Sequence, residues 1–187
     1  MNHTLMPRIP AVEPASMTEA QAAAAAIVAN GPRGSVRGPF AVLLNSPGAF
    51  SAVQALGTYL RFESTMPANL RELAILTTAR HWHQEYEWQV HAVLAEEAGL
   101  STRAIAAIAA GLPIEDASTE EVLVHAFCTQ LHRENGVDDA TYARIETLLG
   151  HAGVIDLCTI CGYYALLAMV MNVGRNPTPS LTLFPAL

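Results

Sequence analysis

Residues 71–101 read RELAILTTARHWHQEYEWQVHAVLAEEAGLS, and the run changes character at His81 to His83. Before that break, from about Ala68 to Arg80, Leu70, Leu73, Ala74, Ile75, Leu76 and Ala79 leave almost no polar side. Such a composition predicts a helix buried all round inside a helical bundle. After the break, a second helix is expected from Gln84 to Ala98, stopped by Gly99. At about 100° per residue, positions 84, 87, 91, 94 and 98 fall on one stripe, and Leu94 and Ala98 mark it as the inward side. Glu87 and His91 therefore point inward, while Glu85, Gln89, Ala92 and Glu96 face solvent. Glu72 sits on the first helix, and its neighbour Arg71 points to a different face, which makes it no obvious partner.

Polar groups taken from water without hydrogen bonds cost roughly 2–7 kcal/mol, so inward carboxylates and imidazoles are expected to pair with one another. Glu87 and His91 are one turn apart, and a carboxylate and an imidazole in a dry pocket can exchange a proton near neutrality. They would then serve as general acid and base. The plainer alternative is an ordinary helix pair, with Glu72 in a structural ion pair.

Outward from this segment, every strong pattern is helical. Pro7, Pro10 and Pro14 make residues 1–16 an extended arm. Helices are expected from Thr18 and Glu19 to Asn30, over 40–46, over 48–63 after Ser46-Pro47, and over 102–110 behind Ser101. Further helices are expected at 118–135, opened by a Ser118/Glu121 capping box, at 138–150, capped by Asp138 or Asp139, and at 151–173. No alternating strand pattern occurs, so the fold class is all-α, with residues 17–187 forming a single domain.

Composition narrows the function. Apolar residues make up 51% and charged residues 14% of the 187, which predicts apolar surface that a second copy would cover. The net charge of −7 carries no basic patch, arguing against nucleic acid or an anionic membrane as partner. All ten basic residues are arginine, so a lysine Schiff base is unavailable. Cys128, Cys158 and Cys161 are too few for a disulfide framework, and MNHTLMPRIP lacks a basic region followed by an apolar core, which reads as cytoplasmic. Leu157 to Val173 approaches membrane-spanning composition, but Thr159, Gly162 and Asn172 favour a helix buried in the domain or at a subunit contact.

The 71–101 segment closely resembles the signature region of carboxymuconolactone decarboxylase-like proteins, as do PRIP near residue 7, GPRGSVRGPFAVLLNSP at 31–47 and GYYALLAMVMNV at 162–173. The resemblance implies the alkylhydroperoxidase D-like helical bundle, assembled as a trimer or hexamer. The peroxidase members of that superfamily carry a glutamate, eleven residues, a CxxC pair and a histidine four residues further on. That spacing starts at Glu72 and ends at His91, but Gln84 and Glu87 stand where the thiols would be. Neither can act as a thiolate, so peroxidase activity through this motif is ruled out.

What the resemblance then implies is the decarboxylase branch, a lyase of aromatic-acid catabolism that acts on a small carboxylated lactone and needs no cofactor or metal. His91 would donate the proton, Glu72 and Glu87 would orient or charge it, and Arg33, or else Arg37, would anchor the substrate anion. Gln84, Tyr86 and Trp88 would line the pocket. Hydrolase or isomerase chemistry by the same pair, or a small-ligand binding module without catalysis, are the alternatives. His83, Glu87 and His91, spaced i, i+4, i+8, could also offer ligands to a divalent metal. Cys158 and Cys161 form a literal CxxC within an apolar helix and are expected to be inert core thiols, and His125, His132 and His151 surface or satisfied core residues.

Overall fold

A computed structural model describes residues 6–115 and 117–176. The outermost residues of the expected arm and of the expected domain, 1–5 and 177–187, lie outside that range. Among the described residues there are eight α-helices and no strand. They are α1 (Glu19–Ala29), α2 (Pro39–Leu43), α3 (Pro47–Thr58), α4 (Ala68–His81), α5 (Glu85–Glu97), α6 (Thr102–Ala110), α7 (Thr119–Glu134) and α8 (Asp139–Gly174). The backbone gathers into two compact units, one holding residues up to 64 together with 169–176, the other 65–168; α8 contributes to both.

In the first unit the proline-rich arm is tied down by hydrogen bonds. Arg8 N donates to the Gly174 carbonyl (2.7 Å) and Val12 N to that of Ala41 (2.9 Å). The Asn45 amide donates to the Pro10 carbonyl (2.9 Å), and the Asn176 amide to that of Ile9 (2.8 Å). Thr18 opens α1 through a capping box with Gln21, and prolines begin α2 and α3, where a missing N–H costs nothing. Phe40 and Phe50 meet edge to face at 6.0 Å. The expected helix 48–63 changes winding after Thr58. Tyr59–Glu63 forms a π-turn, closed by Ser64 N donating to the Tyr59 carbonyl (2.8 Å), in which Leu60 is buried while Tyr59 and Phe62 stay exposed.

The second unit is organised around α4. Residues 72–79 are buried without interruption, as the apolar composition predicted, and α4 packs against α5, α6 and α7. Leu73, Ile75 and Leu76 each bury a side chain worth about 1.5–3 kcal/mol. The surrounding helices begin where local chemistry says they should. Ser101 accepts from Ala104 N (3.1 Å), Ser118 and Glu121 form the capping box, and Asp138 accepts from Thr141 N (2.7 Å). The Glu121 carboxylate also accepts from the Asn69 amide (3.1 Å), holding the start of α7 to the start of α4.

Helix α8 breaks at Gly150, at φ 66° and ψ 177°, so that it is in effect the two expected helices. It is long and apolar enough to cross a membrane, yet 56% of its apolar window is buried inside the protein, which is how a core helix reads.

Gly150 has nothing within 4 Å of an added Cβ, so its substitution would be resisted by backbone conformation alone. Gly150→Ala should lower unfolding stability by about 1–3 kcal/mol in urea denaturation. Gly48→Ala, in equally open space but inside α3 with no left-handed φ, should be neutral or stabilise by up to about 1 kcal/mol.

Candidate functional site

The second unit brings together the three ionisable residues singled out by the sequence. Glu72, Glu87 and His91 are each no more than 4% exposed. His91 Nδ1 lies 2.6 Å from Glu72 Oε2, the distance of a charge-assisted hydrogen bond, so Nδ1 carries the proton and the carboxylate accepts it. This orients Nε2 toward Glu87 Oε2 at 3.6 Å. The imidazole therefore sits between two carboxylates, one from its own helix and one from α4.

Two further groups complete the surroundings. Arg71 Nε stands 3.6 Å from Glu72 Oε1, inside ion-pair range, so the neighbour that was no obvious partner does reach it. Their Cα–Cβ bonds do diverge, but the arginine stem is long enough to turn its guanidinium back. Tyr164 presents its ring edge-on to His91, with centroids 5.0 Å apart and planes at 86°, and Tyr163 packs on Tyr164 in turn at 5.2 Å.

The inward stripe of α5 is rotated from the expected one. Gln84, Glu87, Trp88, His91 and Ala95 are buried, whereas Leu94 and Ala98 are only half-buried. Val90 and Val93 are left exposed. Gln84 caps α5, its side-chain oxygen accepting from Tyr86 N (3.0 Å), and Tyr86 is half-buried. Trp88 is 4% exposed and belongs to the core beside the cluster. Arg33 and Arg37 lie in the first unit, where Arg33 stacks its guanidinium over Phe40 at 4.4 Å and Arg37 is exposed.

His83, Glu87 and His91 do not form a metal-binding group, and among the described residues no three His, Cys, Asp or Glu side chains do. His83 belongs to the turn ahead of α5 rather than to the helix, with φ at 51°, and Arg80 holds its Nε2 at 2.9 Å. It lines instead a cleft of about 830 Å³ between the ends of α4, α6 and α7, together with Arg80, His81, His125 and His132. His81 and His132 stack there at 4.8 Å, and burial and the neighbouring imidazoles push His81 below the usual histidine value. His132 also meets the Thr78 hydroxyl at 2.9 Å, burial lowers His125, and exposed His151 pairs with Glu146.

Sequence reasoning missed Tyr164 although the Gly-Tyr-Tyr step within an apolar helix was a usable signal. It also missed the contact of Cys161 with Cys128, whose sulfurs lie 3.6 Å apart. Of the three thiols only Cys158 is exposed, which corrects the expectation that both members of the CxxC lie in the core.

Removing one member of a buried charge pair strands the other. Glu72→Ala should therefore cost about 3–5 kcal/mol in urea denaturation, while Glu97→Gln, on the exposed side of α5, should stay within about 0.5 kcal/mol of the parent protein.

The helical architecture agrees with what comparison finds. Residues 47–127 match the model of the Carboxymuconolactone decarboxylase family. No curated protein matches the chain. That segment, which contains Glu72, Glu87 and His91, is where the chain is similar to the carboxymuconolactone decarboxylase family.

Proposed function

We propose that the protein is a cofactor-independent acid/base enzyme, a carboxy-lyase acting on a small carboxylated lactone or a related enolisable acid. The observation that carries this reading is the 2.6 Å contact between His91 Nδ1 and Glu72, which fixes the imidazole and leaves Nε2 as its proton-exchanging edge beside Glu87. In decarboxylation the bond to the substrate carboxylate breaks, carbon dioxide leaves, and the electron pair enters the conjugated carbonyl as an enolate. His91 then delivers a proton to carbon, and Glu87 holds the Nε2 proton ready. Glu72 positions the ring for that transfer.

Self-association belongs to the same proposal. Ile155, Thr159, Gly162 and Leu166 recur at spacings of four, three and four along α8, with Ile155 65% and Leu166 38% exposed, a stripe suited to a facing helix. A trimer or hexamer is expected by light scattering, and Ile155→Glu should shift it toward monomer; a monomeric parent protein would remove this part of the proposal.

Ultraviolet absorbance tests the chemistry, with carboxymuconolactone and related lactone acids as substrates. The parent protein should turn over at least one of them with release of carbon dioxide, and His91→Gln should lower kcat by roughly 10²–10⁴ with helicity retained. Equal turnover by His91→Gln across the panel would refute the assignment, and product formed without carbon dioxide would point to isomerase or hydrolase chemistry of the same pair.

A further inference from the structure

On the α7 side of α4 lies a second set of reactive groups. Cys128, on α7, and Cys161, on α8, are 0% and 2% exposed, with their sulfurs 3.6 Å apart and the Cys161 thiol directed at Cys128. His132, one turn along α7 from Cys128, holds the Thr78 hydroxyl at 2.9 Å and lowers the neighbouring Cys161 thiol. Thr78 in turn donates to the Ala74 carbonyl (2.9 Å), which leaves its oxygen free to accept from the imidazole. The same His132 ring forms part of the wall of the 830 Å³ cleft.

We propose that Cys128 and Cys161 are a buried dithiol that closes to an intrachain disulfide on oxidation by a hydroperoxide, with His132 as the proton partner of Cys161. The hydrogen bond with Cys128 and the influence of His132 bring Cys161 down to about 5, against the opposing effect of burial, while burial holds Cys128 well above the usual thiol range. The attacking thiolate is therefore Cys161 and the resolving thiol Cys128. Exposed Cys158, raised by partial desolvation and by the Cys161 charge, is the weaker nucleophile.

The step balances. Cys161 thiolate attacks the peroxide, an S–O bond forms as the O–O bond breaks, and the departing alkoxide takes the His132 proton to leave as alcohol. The Cys128 thiol then displaces hydroxide from the sulfenic acid, the S–S bond forms, and the thiol proton completes a molecule of water. Two thiols are oxidised and one peroxide is reduced. The sulfurs, 3.6 Å apart in the reduced contact, close to about 2.05 Å when the bond forms.

The full chain, treated with equimolar hydrogen peroxide, quenched with iodoacetamide and mapped by mass spectrometry under non-reducing conditions, tests this directly. Expected is a peptide pair joined through Cys128 and Cys161 with the loss of two hydrogens, leaving Cys158 as the one alkylated thiol of the three. Cys158→Ser should form the same link, and Cys128→Ser should stop at a Cys161 sulfenic acid trapped by dimedone. The rate should be half-maximal near pH 5. His132→Gln should slow it at pH 6 by roughly tenfold or more, as Cys161 rises toward an ordinary thiol. Should that variant not fold, the profile of the parent protein still decides. A half-maximal rate near about 8.5, a link between Cys158 and Cys161, or Cys128 and Cys161 both still alkylated once Cys158 is oxidised, would each overturn the proposal.

Discussion

The constraint on which the second unit depends is that α4 has no solvent side. A helix buried over eight consecutive residues, 72–79, must satisfy every polar group it carries from within the protein. Thr77 and Thr78 do so locally, donating to the carbonyls of Leu73 and Ala74, one turn back. Glu72 cannot, because a carboxylate offers no donor to its own backbone and carries a charge. Its partners have to come from another helix, and His91 on α5 provides the short contact while Arg71 contributes from the side. The packing of α5 on α4 is thus fixed by polar geometry as well as by the apolar surface between them.

Stability alone does not account for such an arrangement. Two carboxylates and an imidazole in the interior must each lose most of their hydration, and apolar side chains of similar volume are commonly as stable or more so. The cluster is costly to break but was never a cheap way to hold two helices together. Retaining it makes physical sense if the imidazole is used, since the Glu72 contact selects the tautomer and Glu87 lies where a proton arriving at or leaving Nε2 would pass.

The sequence made visible what is local. Helix starts at Ser101, Ser118 and Asp138 were legible because capping needs only neighbours in the chain, and the break at Gly150 because glycine alone tolerates that conformation. The inwardness of Glu72, Glu87 and His91 followed from periodicity. What periodicity could not set was the rotation of α5, which depends on where α4 and α6 lie and turned the buried stripe toward Trp88 and Ala95. The π-turn after Thr58, the reach of Arg71 back to Glu72, the edge of Tyr164 on His91 and the meeting of Cys128 with Cys161 all arise from contacts between elements or from side-chain length. Spacing along one helix carries no record of them. The i, i+4, i+8 pattern of His83, Glu87 and His91 misled for the converse reason. It assumed one continuous helix, and the positive φ at His83 places that residue in the turn before α5.

Helix α4 serves two buried polar sites that need opposite electrostatics, and it keeps them on different faces. Glu72 and Thr78 are six residues apart, about 240° around the axis, so one looks toward α5 and the other toward α7. A carboxylate close to Cys161 would oppose its thiolate through like charge, whereas His132 and the thiol of Cys128 favour it. On the other face, the His91 imidazole is flanked by the carboxylates of Glu72 and Glu87. The polar partners of Thr78 are a histidine and a backbone carbonyl, and those of Glu72 a histidine and an arginine. The same helix can therefore hold the Glu72–His91 contact on one side and a lowered thiol on the other, because the turn and a half between them is filled by Leu73, Ile75 and Leu76, which are at most 1% exposed.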